Sequence, residues 1–264
     1  MCLILFAFRS HPRYKLILAA NRDEYFNRPT EPAAYLSDTP SLLAGKDLKA
    51  GGTWLGITKD GKIAAVTNYR GSDPLQDDAK SRGSLLNDYL SGKIVLEEFL
   101  EWLPVNGKHY NGFNLIFGTI DKLYYFSNRS SHKSDSSNNL PEIVQPDIHG
   151  ISNAFLDTPW PKVKKGKQAL EQRVLTGEDI SIESLFSLLK NTTGFPDAEL
   201  PDTGIGIDYE RILSPLFIET NGYGTRSSTV ILVDTANRVT FAERSFVPPA
   251  EKWFRFKIEN LKKN

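Results

Sequence analysis

Apolar residues fall along this chain in short, nearly unbroken runs separated by compact polar turns. CLILFAF at 2–8 and KLILAA at 15–20 flank the polar segment SHPRY, a pattern that predicts two strands paired as a hairpin. The same arrangement recurs in TWLGITKDGKIAAVTN at 53–68, NLIFGTIDKLYYFSN at 114–128 and STVILVDTANRVTFAE at 228–243. In each, β-rich runs enclose an Asp-containing turn, KDG, TIDK or DTAN. CLILFAF and TVILV are too continuously apolar for a sheet with one wet face, so both faces are expected to be covered.

Helical periodicity lies between the hairpins, over about 81–103 in two pieces, 160–174 and 181–190, the last with Ser181 at its expected cap. Antiparallel hairpins alternating with helices predict an α+β protein, a four-layer α-β-β-α sandwich of two stacked antiparallel sheets. The segments 129–147 and 194–209 are polar, and a strand or helix resumes on each side of them, so they are expected as loops at the rim of a pocket. With no linker or repeat, residues 1–264 are expected to form one domain.

Charge narrows the partners. Lys plus Arg and Asp plus Glu number 32 each, so no overall field draws the chain to nucleic acid, and a small-molecule ligand or substrate is expected. The apolar start is short, lacks a preceding basic stretch and is followed by RSHPR, unlike a signal peptide. Nor does any run reach the roughly 18 apolar residues of a transmembrane segment, so the expected location is cytoplasmic. A single cysteine excludes an internal disulfide, and four scattered histidines offer no zinc-type spacing, so no metal site is expected. Oligomeric state is not legible in the sequence.

The single cysteine is residue 2. Removal of Met1 would leave Cys2 carrying both a thiol and a free α-amine, whose ordinary pKa near 8 suits it to accept the thiol proton. The alternative is a small apolar core residue in the first strand. Polar NRDE at 21–24 follows LILAA abruptly, where the second strand is expected to end beside the start of the first. There Arg22 would favour a thiolate and Asp23 would hold an α-ammonium; the alternative is a solvated ion pair. Asn68 and Asn153 close strand-like KIAAVTN and HGISN, and their amides could donate to an oxyanion, although Asn in such places also serves turns. Arg226 precedes the strand STVILV behind a Gly-rich turn that lacks the lysine and helix of a phosphate loop.

The MC start, the Asn21-Arg22-Asp23-Glu24 strand end, GGTWLGIT and KIAAVTNYR together resemble the NRDE family, also called the transport and Golgi organisation protein 2 family. That family is similar in pattern to N-terminal nucleophile hydrolases of the choloylglycine hydrolase and penicillin V acylase type. The resemblance implies a candidate N-terminal cysteine amidohydrolase acting on a linear amide or thioester, with Cys2, Arg22, Asp23, Asn68, Asn153 and Arg226 at its site and no cofactor required. It also implies an alternative, a non-catalytic carrier of haem or an acyl ligand in the same cleft. One departure is local: Arg22 and Asp23 adjoin, and neighbours on an extended strand point to opposite faces.

Overall fold

A computed structural model describes residues 2–71, 74–130 and 139–259. They divide into two compact units, each built on one antiparallel sheet. The first holds residues 2–27, 70–71 and 145–255, and the second holds the rest. The protein is thus α+β with two antiparallel sheets, as the hairpin pattern predicts.

The first unit carries six strands in the order β10-β1-β2-β11-β12-β13. These are β1 (Cys2–Phe8), β2 (Tyr14–Tyr25), β10 (Asp147–Ile151), β11 (Tyr223–Asp234), β12 (Arg238–Phe246) and β13 (Pro249–Lys257). Alternate residues face helices α3 (Pro161–Val174) and α4 (Ile182–Leu189). Leu3, Leu5, Ala7, Ile17, Ala19, Val230 and Leu232 pack there with Val163, Leu170, Leu185 and Leu189. The opposite set, including Ile4, Phe6, Leu18 and Ile231, is buried as well, which is why these strands read as continuous apolar runs. Helix α3 sits very close to β1: a Cβ added at Gly166 would lie 2.6 Å from Leu5 Cδ1.

The second unit carries β3 (Thr30–Leu36), β4 (Thr39–Asp47), β5 (Leu55–Thr58), β6 (Lys62–Asn68), β7 (Phe113–Thr119), β8 (Lys122–Ser127) and β9 (Glu142–Ile143), in chain order. One face packs on α1 (Arg82–Leu90) and α2 (Leu96–Asn106) through an aromatic cluster that includes Tyr89, Phe99, Phe117 and Phe126.

Every predicted hairpin and helix forms. Differences lie in the polar stretches. The second strand does not end at Ala20; β2 runs through NRDE to Tyr25, because β11 supplies hydrogen-bonding partners on its far side. The last three residues of the expected 194–209 loop open a short helix, α5 (Ile207–Leu213). Within 129–147, positions 131–138 lie outside the described residues, and β9 occupies 142–143. Ser181 is the N-cap of α4 but makes no side-chain capping bond. Strands β3, β4 and β13 lie outside the predicted hairpins. No helix among the described residues is long and apolar enough to cross a membrane.

Candidate functional site

At one end of the six-stranded sheet the apolar rows give way to polar side chains that stay buried. Cys2 pairs directly with Arg22 across β1 and β2, so the two share a sheet face. Strand β10 pairs with β1 as far as Ile4↔Ile151. Beyond the end of that ladder the hydroxyl of Ser152 donates to the Cys2 carbonyl at 3.0 Å, and Asn153 is the next residue in the chain.

Asp23 takes the other face, the one covered by helices. It still reaches the cysteine, because its backbone N–H supports the thiolate form and its charge is felt there. Its carboxylate accepts a 2.7 Å hydrogen bond from the Thr225 hydroxyl, which itself accepts from the Ile218 N–H. Thr225 is brought in by Gly224, where a Cβ would stand 2.5 Å from the Ile218 carbonyl oxygen. Arg226 is the extra residue of a β-bulge between Thr225↔Asp23 and Ser227↔Arg22. Its guanidinium donates to the carbonyls of Tyr25, Phe26 and Val247, clamping the chain just beyond Asp23. Asn21 acts as a staple: its amide donates to the carbonyls of Leu189 and Leu216 and accepts from Ser228.

The electrostatics oppose one another. Burial is the first cause that holds the Cys2 thiol above its ordinary pKa; the Asp23 charge adds to this, while Arg22 and the Asp23 N–H pull the other way and lose. Arg22 thus favours the thiolate, but desolvation outweighs it. Burial likewise raises Asp23, against Lys162, the Thr225 hydroxyl and Arg22.

Lys162, absent from the sequence-based candidates, is buried at the start of α3 and donates to the Leu213 carbonyl at 2.9 Å. Burial brings its pKa down to about 8, with Asp23 and Cys2 resisting and Arg70 assisting. The missed signal was positional: residue 162 stands one helical turn before Gly166, on the stripe of Val163, Gly166, Leu170 and Val174 that faces the core. Asn68, the remaining candidate, ends β6 in the second unit, where it pairs with Phe113 and is exposed. Among the described residues no cluster of three or more His, Cys, Asp or Glu could hold a metal ion.

A family model described as Transport and Golgi organisation 2 matches residues 1–248. The chain belongs to the Transport and Golgi organisation 2 family. It is 37% identical over 271 residues to the Mus musculus Transport and Golgi organization 2 homolog, with 94% of each chain covered. To the Drosophila melanogaster Transport and Golgi organization protein 2 it is 32% identical over 282 residues, covering 98% of each. Among solved structures, a Caenorhabditis elegans N-acylethanolamine-hydrolyzing acid amidase ortholog superposes with TM-score 0.53 at 13% identity, covering 88% of this chain and 92% of that one. The last likeness is one of fold.

Proposed function

We propose that this family member uses Cys2, exposed by removal of Met1, as the nucleophile of an acyl-transfer site acting on an amide or thioester carbonyl. The observation that carries this reading is the pairing of Cys2 with Arg22 at the sheet end, with the Asp23 N–H directed at the sulfur and Ser152, the neighbour of Asn153, bonded to the Cys2 carbonyl. In the processed chain the α-amine of Cys2 takes the thiol proton, which answers the raised thiol pKa. The thiolate forms a C–S bond to the carbonyl carbon, and the oxyanion so created accepts from the Asn153 amide. Collapse expels an amine or thiol that takes the proton back from the α-ammonium. Water then cleaves the acyl-cysteine to a carboxylic acid and restores the thiol. Asp23 orients the ammonium, Thr225 and the Arg226 clamp hold Asp23 in place, and Arg22 offsets charge on sulfur.

Haem, the alternative ligand the family resemblance implies, fits these residues poorly. His149 on β10 has both ring nitrogens engaged, Nδ1 with Asp157 and Nε2 with the Gln145 carbonyl.

Intact-mass analysis of the native N-terminus after treatment with a thiol-directed electrophile tests the proposal. The expected result is a chain lacking Met1, with one adduct that is lost in Cys2→Ala. A cellular protein that retains Met1 removes the base, and the mechanism with it.

A further inference from the structure

Beside Cys2 the first unit buries two cations that the acyl-transfer chemistry does not use. Arg70 lies on a short segment whose backbone N–H donates to the Asn153 carbonyl at 2.7 Å, so it is anchored to the stretch that Ser152 ties to Cys2. Its guanidinium lies over the Trp160 ring, with Cζ 4.9 Å from the centroid, and Nη2 makes a 2.8 Å ion pair with Glu210. The buried Nε and Nη1 have no hydrogen-bond partner among the described residues.

Glu210 cannot satisfy them, because its other oxygen is taken by the N–H and hydroxyl of Thr203. Lys162, two residues after Trp160, is also buried; of its three N–H groups it spends one on Leu213. Both cations are pinned to α5, Arg70 through Glu210 and Lys162 through the helix-terminal Leu213 carbonyl. Lys162 is buried and Arg70 mostly so, and with Glu210 saturated and Asp23 the other carboxylate acting on Lys162, these cations retain unspent N–H groups that a further anion would satisfy. A planar guanidinium held on an aromatic face beside an ammonium suits a carboxylate or phosphate.

We propose that Arg70 and Lys162 form an anion subsite next to Cys2, which binds a carboxylate or phosphate group carried by the acyl compound. This inference rests on the acyl-transfer reading for the identity of the substrate, but binding at the subsite can be measured without turnover. Calorimetric titration of the full chain carrying Cys2→Ala, with inorganic phosphate and with decanoate at fixed ionic strength in chloride, is the direct test.

Saturable binding of either anion is expected. Arg70→Lys, which keeps the charge and the Glu210 pair but loses the planar fork, and Lys162→Met should each weaken binding by about tenfold or more. Lys93→Gln, at an exposed ion pair in the connection between α1 and α2, should leave it unchanged. Lys162→Met removes a buried ammonium and should melt no lower than the parent, which separates lost binding from lost folding. Phosphate alone, decanoate alone or both binding supports the subsite and assigns its chemistry. The proposal is overturned if neither anion binds saturably, or if both substitutions leave binding intact. A processed, reactive Cys2 with no anion binding sinks the subsite alone; anion binding in a chain that retains Met1 sinks the hydrolytic reading alone.

Discussion

The two units share a plan, a sheet with helices on one face, yet they bury different chemistry. In the second, the buried polar side chains among the described residues are Thr53, Thr58, Thr67, Asn114 and Ser127, all neutral. Their hydrogen bonds stay local: Thr67 accepts from Asn114, Asn114 from Tyr125, and Ser127 donates to the Phe113 carbonyl. In the first, Arg22, Asp23, Lys162, Glu210, Arg226 and Glu243 are all buried. A neutral group with its bonds made costs little to bury, whereas a charge costs several kcal/mol that only partners return. Burying charges at one sheet end is therefore poor design for stability and good design for chemistry.

The comparison breaks first where packing alone is at stake. Phe117 is fully buried and touches Tyr89, Phe99 and Tyr124 with its ring. Phe117→Ala should cost roughly 3–5 kcal/mol of unfolding free energy and leave the pH dependence of Cys2 alkylation unchanged. Denaturant unfolding followed by iodoacetamide kinetics reads both. A changed alkylation profile would show that the charged end is not energetically separate. In the first unit, Asn21→Ala strands the carbonyls of Leu189 and Leu216 and the Ser228 hydroxyl. We expect a loss of about 3 kcal/mol, and a loss under about 0.5 would mean the staple is not holding α4.

A smaller and sharper effect concerns the thiol. Because the Asp23 charge raises the Cys2 pKa and the Arg22 charge lowers it, Asp23→Asn should move the alkylation midpoint to lower pH and Arg22→Gln to higher pH. Shifts in the same direction for both would contradict the opposed fields described here.

How much of this was legible follows from which rules govern each part. The hairpins could be read because KDG, TIDK and DTAN turns sit between β-rich runs, and both signals are local. Cys2, Asp23 and Asn153 are legible through position and family resemblance, and register sets Cys2 opposite Arg22. The end of β2 was misread, because local polarity at NRDE says loop while β11, two hundred residues later, makes it a strand. Lys162 and Arg70 were missed for the same reason: their burial depends on α5 and Glu210, which are remote in sequence. The charge opposition at Cys2 was beyond reach, since desolvation is a property of the packed site and not of residue identity.

The smallest predicted effect lies beside this site, where β10 leads into the loop carrying Asn153. His149 Nδ1 meets Asp157 at 2.7 Å, and Asp157 also accepts from Lys167 and from the Gly150 N–H. Burial alone would lower the His149 pKa, but the hydrogen bond and charge of Asp157 and the Gln145 carbonyl outweigh it and leave the pKa raised. Burial would raise Asp157, and His149, Lys167 and Gly150 bring it below its ordinary value. The two signs define a window. The His149 contribution is complete below its unfolded pKa of about 6.5 and is lost as pH rises through the higher folded value. The Asp157 contribution is complete above its unfolded pKa near 3.9 and is lost as pH falls through the lower folded value. Stability from this cluster is therefore greatest in mildly acid solution. His149→Gln should flatten the decline in melting temperature on the alkaline side of pH 6.5 while preserving the acid limb that Asp157 and Lys167 still supply. An unchanged alkaline slope would mean that His149 is neutral at Nδ1 and that the cluster is held by Lys167 alone.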